Sequence, residues 1–527
     1  MNKPDAPDPC VALIGDVGWE GLYHLGDEAM TEAAIGELQS RGIADITIIA
    51  AEAAPAQKRY GVSAIDRFGF GTRWNRKRLE ERYTTLVSEI ANDFGTMPPE
   101  DPAHAILDLV RRCDAVIIAG GGNITSRYLY HVYERSVLTK LAKKFGKPLL
   151  MTSQTIGPSI DDAHLGIVAE ILTSASMIGA RELDSLALIG DLTAGRATAY
   201  RTLDDAFHLR ADAADEEWVA ALNLDDRFVV ASVSPYVSNP FWSEDEYFTQ
   251  MAAILDSVAA ELDETVYLLP HAGSPIRDEK KHDQISHERV IKTSSSSRIY
   301  ALPVMSAREC LAVMKKATLA VSTRYHPIVL GQSVGTPTIS IGVDAYSFVR
   351  MYGAQKNFET AELHLPARRA TADAVSALSS QVAAQRRVYE QHIKAIEPVR
   401  RAEAKTWWDA LVERIRESSG GTVPSFAEVP SLKLANVEAV SCSEHAAHNE
   451  LSLMYDSLIR ERKAKAHTED IVGRVGKDRD QQRQARLAAE SEISTLRSEL
   501  VAANSRKVVR LADKLGAVVR ALRRRKS

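Results

Sequence analysis

Residues 319–341 read L-A-V-S-T-R-Y-H-P-I-V-L-G-Q-S-V-G-T-P-T-I-S-I. Leu319 to Ser322 forms an apolar strand, a polar turn follows, a short helix opens at Pro327, Gly335 ends it, and a second strand starts at Pro337. Proline suits a first helical turn, where its missing N–H has no intrahelical partner to lose. Strand, helix and strand in this order are the repeating unit of a parallel sheet. Arg324 and His326 then stand at the carboxyl end of a strand beside a helix N-terminus. Open α/β sheets bind ligands at that place, and the helix end favours an anion. An arginine offers a fork to carboxylate or phosphate, and a histidine moves a proton near neutral pH. The plain alternative is a surface arginine beside a histidine that only satisfies its loop.

The same alternation extends in both directions. Toward the N-terminus, strands are expected at Val11–Ile14, Ile46–Ala50, Ala115–Ala119, Pro148–Thr152, Met177–Ala180 and Ala199–Leu203, with helical patterns between them. A second series runs through Phe228–Val233, Val266–Leu269, Ile299–Leu302, Leu319–Ser322 and Thr338–Ile341. Two such series imply two Rossmann-like α/β domains facing a cleft, a GT-B-like arrangement, with the crossing near Ala211–Leu224. The expected boundaries are 1–215 and 216–365 for the two domains and 366–417 for a helical segment carrying Trp407 and Trp408 that packs on the body. A Ser/Gly-rich linker is expected over 418–445, and a helical, coiled-coil extension over 446–527. In that extension Ile493, Leu496, Leu500 and Ala503 keep 3/4 spacing, as do Val508, Leu511, Leu515, Val518 and Leu522.

The chain has 527 residues, 45% hydrophobic and 26% charged, and a formal net charge of −5. These are ordinary globular values for more than one domain. From Arg506 to the C-terminus nine Lys/Arg face one Asp, so a mildly acidic body carries a basic tail. That argues against nucleic-acid binding by the body and for an anionic surface met by the tail. The tail's apolar face and flanking cations suit peripheral contact with a membrane interface through 506–527; the competing reading is a coiled-coil seam that makes a homo-oligomer. The four cysteines are scattered without metal or disulfide spacing. The polar start is unlike a signal peptide, and no apolar stretch is long enough to span a bilayer. A cytoplasmic enzyme, peripheral on the inner face of the membrane, is the expectation.

Further loops at strand ends could carry chemistry. The first loop offers Asp16, and Asp27 is expected as the N-cap of a helix running to Ser40. Gly121, Gly122 and Asn123 follow a strand in A-G-G-G-N and could bring backbone N–H groups close to an anion. Neither glycine loop has the P-loop or dinucleotide pattern. Gln154 in Q-T-I-G-P, Arg181 in A-R-E-L-D-S, Asp204 in L-D-D-A-F and His271 in L-P-H end other strands. Each also has a bland reading as a turn, a salt bridge or a solvated loop.

Taken as an ordered set, these segments resemble the polysaccharide pyruvyl transferase family. The matching pieces are L-G-D-E-A at Leu25–Ala29, A-G-G-G-N, Q-T-I-G-P, A-R-E-L-D-S, D-D-A-F, L-P-H and S-T-R-Y-H-P-I-V-L-G-Q-S-V-G-T-P, over roughly 11–353. His24 replaces the family's usual Asn, and Asp205 the Pro of D-P-A-F. The resemblance implies transfer of the enolpyruvyl unit of phosphoenolpyruvate onto hydroxyls of a glycan or lipid-linked saccharide, closing a ketal. Phosphoenolpyruvate is then a donor substrate, and no cofactor or metal is expected. Arg181 and Arg324 would hold its charges, with Gly121, Gly122, Asn123, Gln154 and His271 around it. His326 would do the acid–base work, and Asp16 or Asp27 would take the hydroxyl proton. Two alternatives stand beside this: a GT-B glycosyltransferase using a nucleotide-sugar, and a non-catalytic coiled-coil scaffold with a degraded enzyme body.

Overall fold

The computed structural model describes residues 9–416, 423–437, 440, 441 and 443–462, with scattered positions between 481 and 499. The chain divides into two compact units, Met1–Asp456 and Ser457–Ser527. In the second unit the described residues are helical. The residues named above for the two 3/4 runs, and the basic tail, lie outside the described set.

The first unit contains both α/β domains. In the first, parallel strands stand in the order Ser63–Asp66, Ile46–Ala50, Val11–Ile14, Ala115–Ile118, Leu149–Ile156, Ala175–Ala180 and Ala199–Arg201, and Gly121–Ile124 also pairs with Leu149–Ile156. In the second the order is Ile299–Ala301, Thr265–Leu268, Phe228–Ser232, Leu319–Ser322, Thr338–Gly342 and His364–Pro366, again parallel. Val11–Ile14, Ile46–Ala50 and Ala115–Ile118 are buried at every position. Helices cover both faces of a parallel sheet, so its central strands are written as continuous apolar runs rather than alternating ones.

Several short strands carry no such run. Ser63–Asp66 lies at a sheet edge with no fully buried residue, and His364–Pro366 forms the opposite kind of surprise, a buried edge of three residues with one aliphatic side chain. Tyr23–His24 and Ala272–Gly273 form a two-stranded antiparallel ribbon. One strand comes from each domain, so the ribbon joins the two halves, and the Leu25 N–H donates to the His271 carbonyl at 2.9 Å beside it.

The helix Arg386–Ile415 also links the halves. Tyr389, Ile393 and Ile396 enter the core of the second domain, while Trp407, Trp408 and Leu411 pack with Val11, Leu13 and Leu38 of the first. Part of the expected linker, 423–437, packs on the body instead: Leu432 and Leu434 are buried in the second domain's core. Residues 443–456 follow as a helix within the first unit. Among the described residues no helix is long and apolar enough to cross a membrane.

Candidate functional site

The helix His326–Val334 begins directly after the turn that leaves Leu319–Ser322, with Pro327 in its first turn and Gly335, at φ 78°, ending it. Its first residue, His326, packs on the first domain at Gly26. A Cβ built on Gly26 would stand 1.9 Å from the imidazole, so the glycine of L-G-D-E-A is what lets the two domains close around this ring. His326 Nε2 is buried and has no hydrogen-bond partner among the described residues; Asp204 Oδ2 lies 3.8 Å away. Burial first, then the charge of Arg181, holds the imidazole well below its ordinary pKa, against the opposing pull of Asp27. The ring is therefore neutral near pH 7 and presents a bare nitrogen.

Arg181 lies next to it but is already engaged. It is 1% exposed, and it donates to Asp204 Oδ2 at 2.6 Å, Thr155 Oγ1 at 2.8 Å and Glu182 Oε1 at 3.1 Å. Its guanidinium carbon sits 4.4 Å from the centre of the Tyr325 ring. Asp204 is fixed in turn by the Ala206 N–H at 2.9 Å. Its neighbour Asp205 accepts from Ser153 at 2.8 Å, and burial pushes its carboxyl up to about 7.

Arg324 is more open, with 28% of its side chain exposed, and it pairs with the buried Asp283. Asp283 also accepts the N–H groups of His271 and Ala272 at 2.9 and 3.1 Å. His271 is itself buried, and it shares Asp283 with Arg324. Its Nδ1 meets Ser232 at 3.1 Å, Nε2 has no partner among the described residues, and burial lowers its pKa to about 4.

The two aspartates take different places. Asp16 is held by Arg67 at 3.0 Å and His131 at 3.2 Å. The charges and hydrogen bonds of these partners keep it well below the usual carboxylate range, although burial pushes the other way. Such a carboxylate is a weak base. Asp27 is not a helix cap: the helix is Leu25–Gln39, capped at His24 without a side-chain bond, and Asp27 lies in its first turn. It sits 3.7 Å from His24 Nδ1. Despite burial, hydrogen bonding and charge from Asp27 raise the pKa of His24.

Gly121, Gly122 and Asn123 belong to a short strand rather than a free turn. The Tyr346 hydroxyl donates to the Gly122 carbonyl at 2.6 Å, and a Cβ at that glycine would meet the hydroxyl at 2.3 Å. The Gln154 amide is spent on the carbonyls of Ala119 and Thr152, at 2.8 and 2.7 Å. Its amide nitrogen is thereby turned to the sheet.

One residue that the sequence reading passed over belongs with this group. Arg350, on the helix Ala345–Asn357, lies 3.8 Å above the Tyr346 ring and donates to the Tyr346 carbonyl at 3.1 Å. Its charge acts on His326, Tyr325 and Glu182. No salt bridge to it occurs among the described residues. Nothing in the local sequence around it marks a site; the helix face that carries it becomes a cleft wall only when the domains are assembled. A separate surface pocket of about 360 Å³, bordered by Phe241, Trp242, Arg368 and Leu451, shares no residue with this cluster. Among the described residues no group of three or more His, Cys, Asp or Glu could hold a metal ion.

The sequence matches the family model described as polysaccharide pyruvyl transferase over residues 24–345. No curated protein matches it. Among solved structures, one from Listeria monocytogenes assigned as a UDP-N-acetylglucosamine 2-epimerase is similar at TM-score 0.52 and 10% identity, covering 80% of this chain and all of that one. Another UDP-N-acetylglucosamine 2-epimerase gives TM-score 0.51 at 10% identity, covering 79% of this chain and 99% of that one. An S. aureus MnaA–UDP complex gives 0.50 at 10%, covering 78% and 97%. These likenesses show the two-domain GT-B fold.

Proposed function

We propose, from the premise that the chain belongs to the polysaccharide pyruvyl transferase family, that it moves the enolpyruvyl unit of phosphoenolpyruvate onto hydroxyls of a glycan or lipid-linked saccharide. The observation that carries this reading is the bare Nε2 of His326, neutral and buried at a helix N-terminus. Arg324 stands two residues before it, and Arg350 acts on it through space. Helix-end dipole and two guanidinium groups suit a donor with both carboxylate and phosphate. Arg181 is assigned here to a supporting part: its fork is filled by Asp204 and Glu182, and its charge keeps His326 neutral. The attacking sugar hydroxyl gives its proton to His326 Nε2 as its oxygen bonds to the donor's C2. The imidazolium passes that proton to the methylene carbon, which becomes a methyl group. Phosphate then leaves C2 with the electrons of its C–O bond. A second sugar hydroxyl bonds there in its place, its proton leaving on the phosphate, so that a ketal closes. Asp27 and His24 border the side of the cleft left for the acceptor.

Calorimetric titration tests the donor. Phosphoenolpyruvate should bind saturably, and Arg324→Ala and Arg350→Ala should each weaken it about tenfold or more, since removing one member of a buried charged contact costs about 2–5 kcal/mol. The fold is shared with proteins whose descriptions name UDP and UDP-N-acetylglucosamine, so UDP-N-acetylglucosamine is the competing titrant. Saturable binding of that sugar with none of phosphoenolpyruvate would reverse the assignment.

The place of action is part of the same proposal. The basic 506–527 segment would hold the enzyme at an anionic cytoplasmic membrane face, where lipid-linked acceptors are built, each Lys or Arg adding about 1 kcal/mol. Full-length protein should float with anionic vesicles at low salt and dissociate at high salt. Flotation absent under both conditions removes the anchor and leaves the oligomer reading.

A further inference from the structure

The helix over 443–456 lies beyond the family match and is turned inside out. Its buried face is polar: His445, His448 and Ser452, all 5% exposed or less, recur at helical spacing. Leu451 and Met454 point outward at 39% and 64% exposure. His445 packs on Tyr352 and Phe348, with ring centroids 4.5 and 5.6 Å apart, and on His364 at 5.7 Å. His448 stacks on Phe241 at 4.5 Å and tilts against Phe348 at 4.8 Å. Among the described residues, buried His445 Nδ1, His364 Nε2 and Ser452 Oγ have no hydrogen-bond partner. Groups left this way weaken the docking they take part in.

The same helix reaches the flank of the catalytic cleft. The Tyr455 hydroxyl meets Ser238 at 2.9 Å on the loop after the Phe228–Ser232 strand. The Asp456 charge acts on Arg127 of the first domain, whose guanidinium pairs with Asp344 at 2.8 Å and lies over Tyr346.

We propose that residues 443–456 form an acid-released strap, docked on the second domain through neutral His445 and His448 against His364 and expelled when those rings take up protons. Burial lowers both strap histidines to about 4 and holds His364 well below its ordinary value. Since these are bases with depressed pKa, docking is at full strength above about 6.5, the value of a free imidazole, and weakens as pH falls toward 4. Few opposing charges face the rings. Glu444 acts on His445 but pairs with Arg369 at 3.6 Å. Asp344 acts on His448 but is paired with Arg127, while Arg368 repels a protonated ring. Tyr352 and Phe348 bring no carboxylate. Release would uncover the Asp344–Arg127 side of the cleft and remove Leu451 from the wall of the Phe241–Trp242 pocket.

Amide hydrogen exchange on the full chain tests this without any assay of transfer, and it does not depend on the donor. Corrected for intrinsic rates, protection of 443–456 should fall about 100-fold between pH 7.5 and 5.5, about tenfold from each strap histidine. The helix Leu25–Gln39 should keep its protection. In the double variant His445→Leu/His448→Leu the strap should stay protected at pH 5.5. Unchanged protection in the parent protein, or the same acid loss in the double variant, overturns the proposal.

Discussion

His326→Asn is expected to bind phosphoenolpyruvate as the parent does and to turn over about a hundredfold more slowly or worse, the scale set by loss of a general acid–base. Asparagine places its amide where Nδ1 stands, leaves the Nε2 position empty and still fits over Gly26, so donor affinity should survive while the proton acceptor is lost. The pH profile carries a second signature. Because burial and the Arg181 charge depress the His326 pKa, the neutral ring persists below the ordinary 6.5 of imidazole. Turnover that depends on His326 as a base should stay level from pH 8 down through 6.5 and fall only in stronger acid. Activity in the Asn variant close to that of the parent would move the role elsewhere, with His271 and Asp27, whose charges act on the ring, next in reach. An inflection at 6.5 in the parent would show that the ring titrates as an exposed one.

The second large effect is on stability. Asp204→Ala should cost about 3–5 kcal/mol, because it leaves the Arg181 guanidinium buried with one carboxylate instead of two. The pair is 2.6 Å apart with 1% and 2% of the side chains exposed. Glu182 remains at 3.1 Å, but it is also committed to Thr155 and Ser185. Urea unfolding with both probes of secondary and tertiary structure measures the loss. A change below about 1 kcal/mol would mean that Arg181 rearranges to reach water, contrary to a buried-charge role.

The fold was legible where burial is two-sided. Val11–Ile14 is wholly apolar, Ile46–Ala50 is broken only by Thr47 and Leu319–Ser322 is apolar up to its last residue, and these runs mark strands of the two sheets. Ser63–Asp66 and the Tyr23–His24 ribbon were not legible, since their pairing rests on backbone groups that leave no pattern in side chains. The stretch read as one helical segment is two helices, Ala372–Ala384 and Arg386–Ile415, and Trp407 and Trp408 of the second are buried. At the site, strand ends marked Arg181, Arg324 and His326, but not which cations were already paired. Asp204 and Asp283 reach their arginines from other strand ends and helices, and such pairing is a product of the assembled domains. Arg350 had no local signal for the same reason. The coiled-coil and membrane readings concern residues outside those described.

The ribbon of Tyr23–His24 with Ala272–Gly273 has a mechanical meaning. It stitches the domains beside the point where His326 meets Gly26, so a rotation of one half against the other that kept the ribbon paired would have its pivot there. Displacement grows with distance from a pivot. Breathing of the molecule would therefore widen the outer rim for a bulky saccharide while the imidazole and its neighbours keep their spacing, as the jaws of pliers part while the rivet stays still.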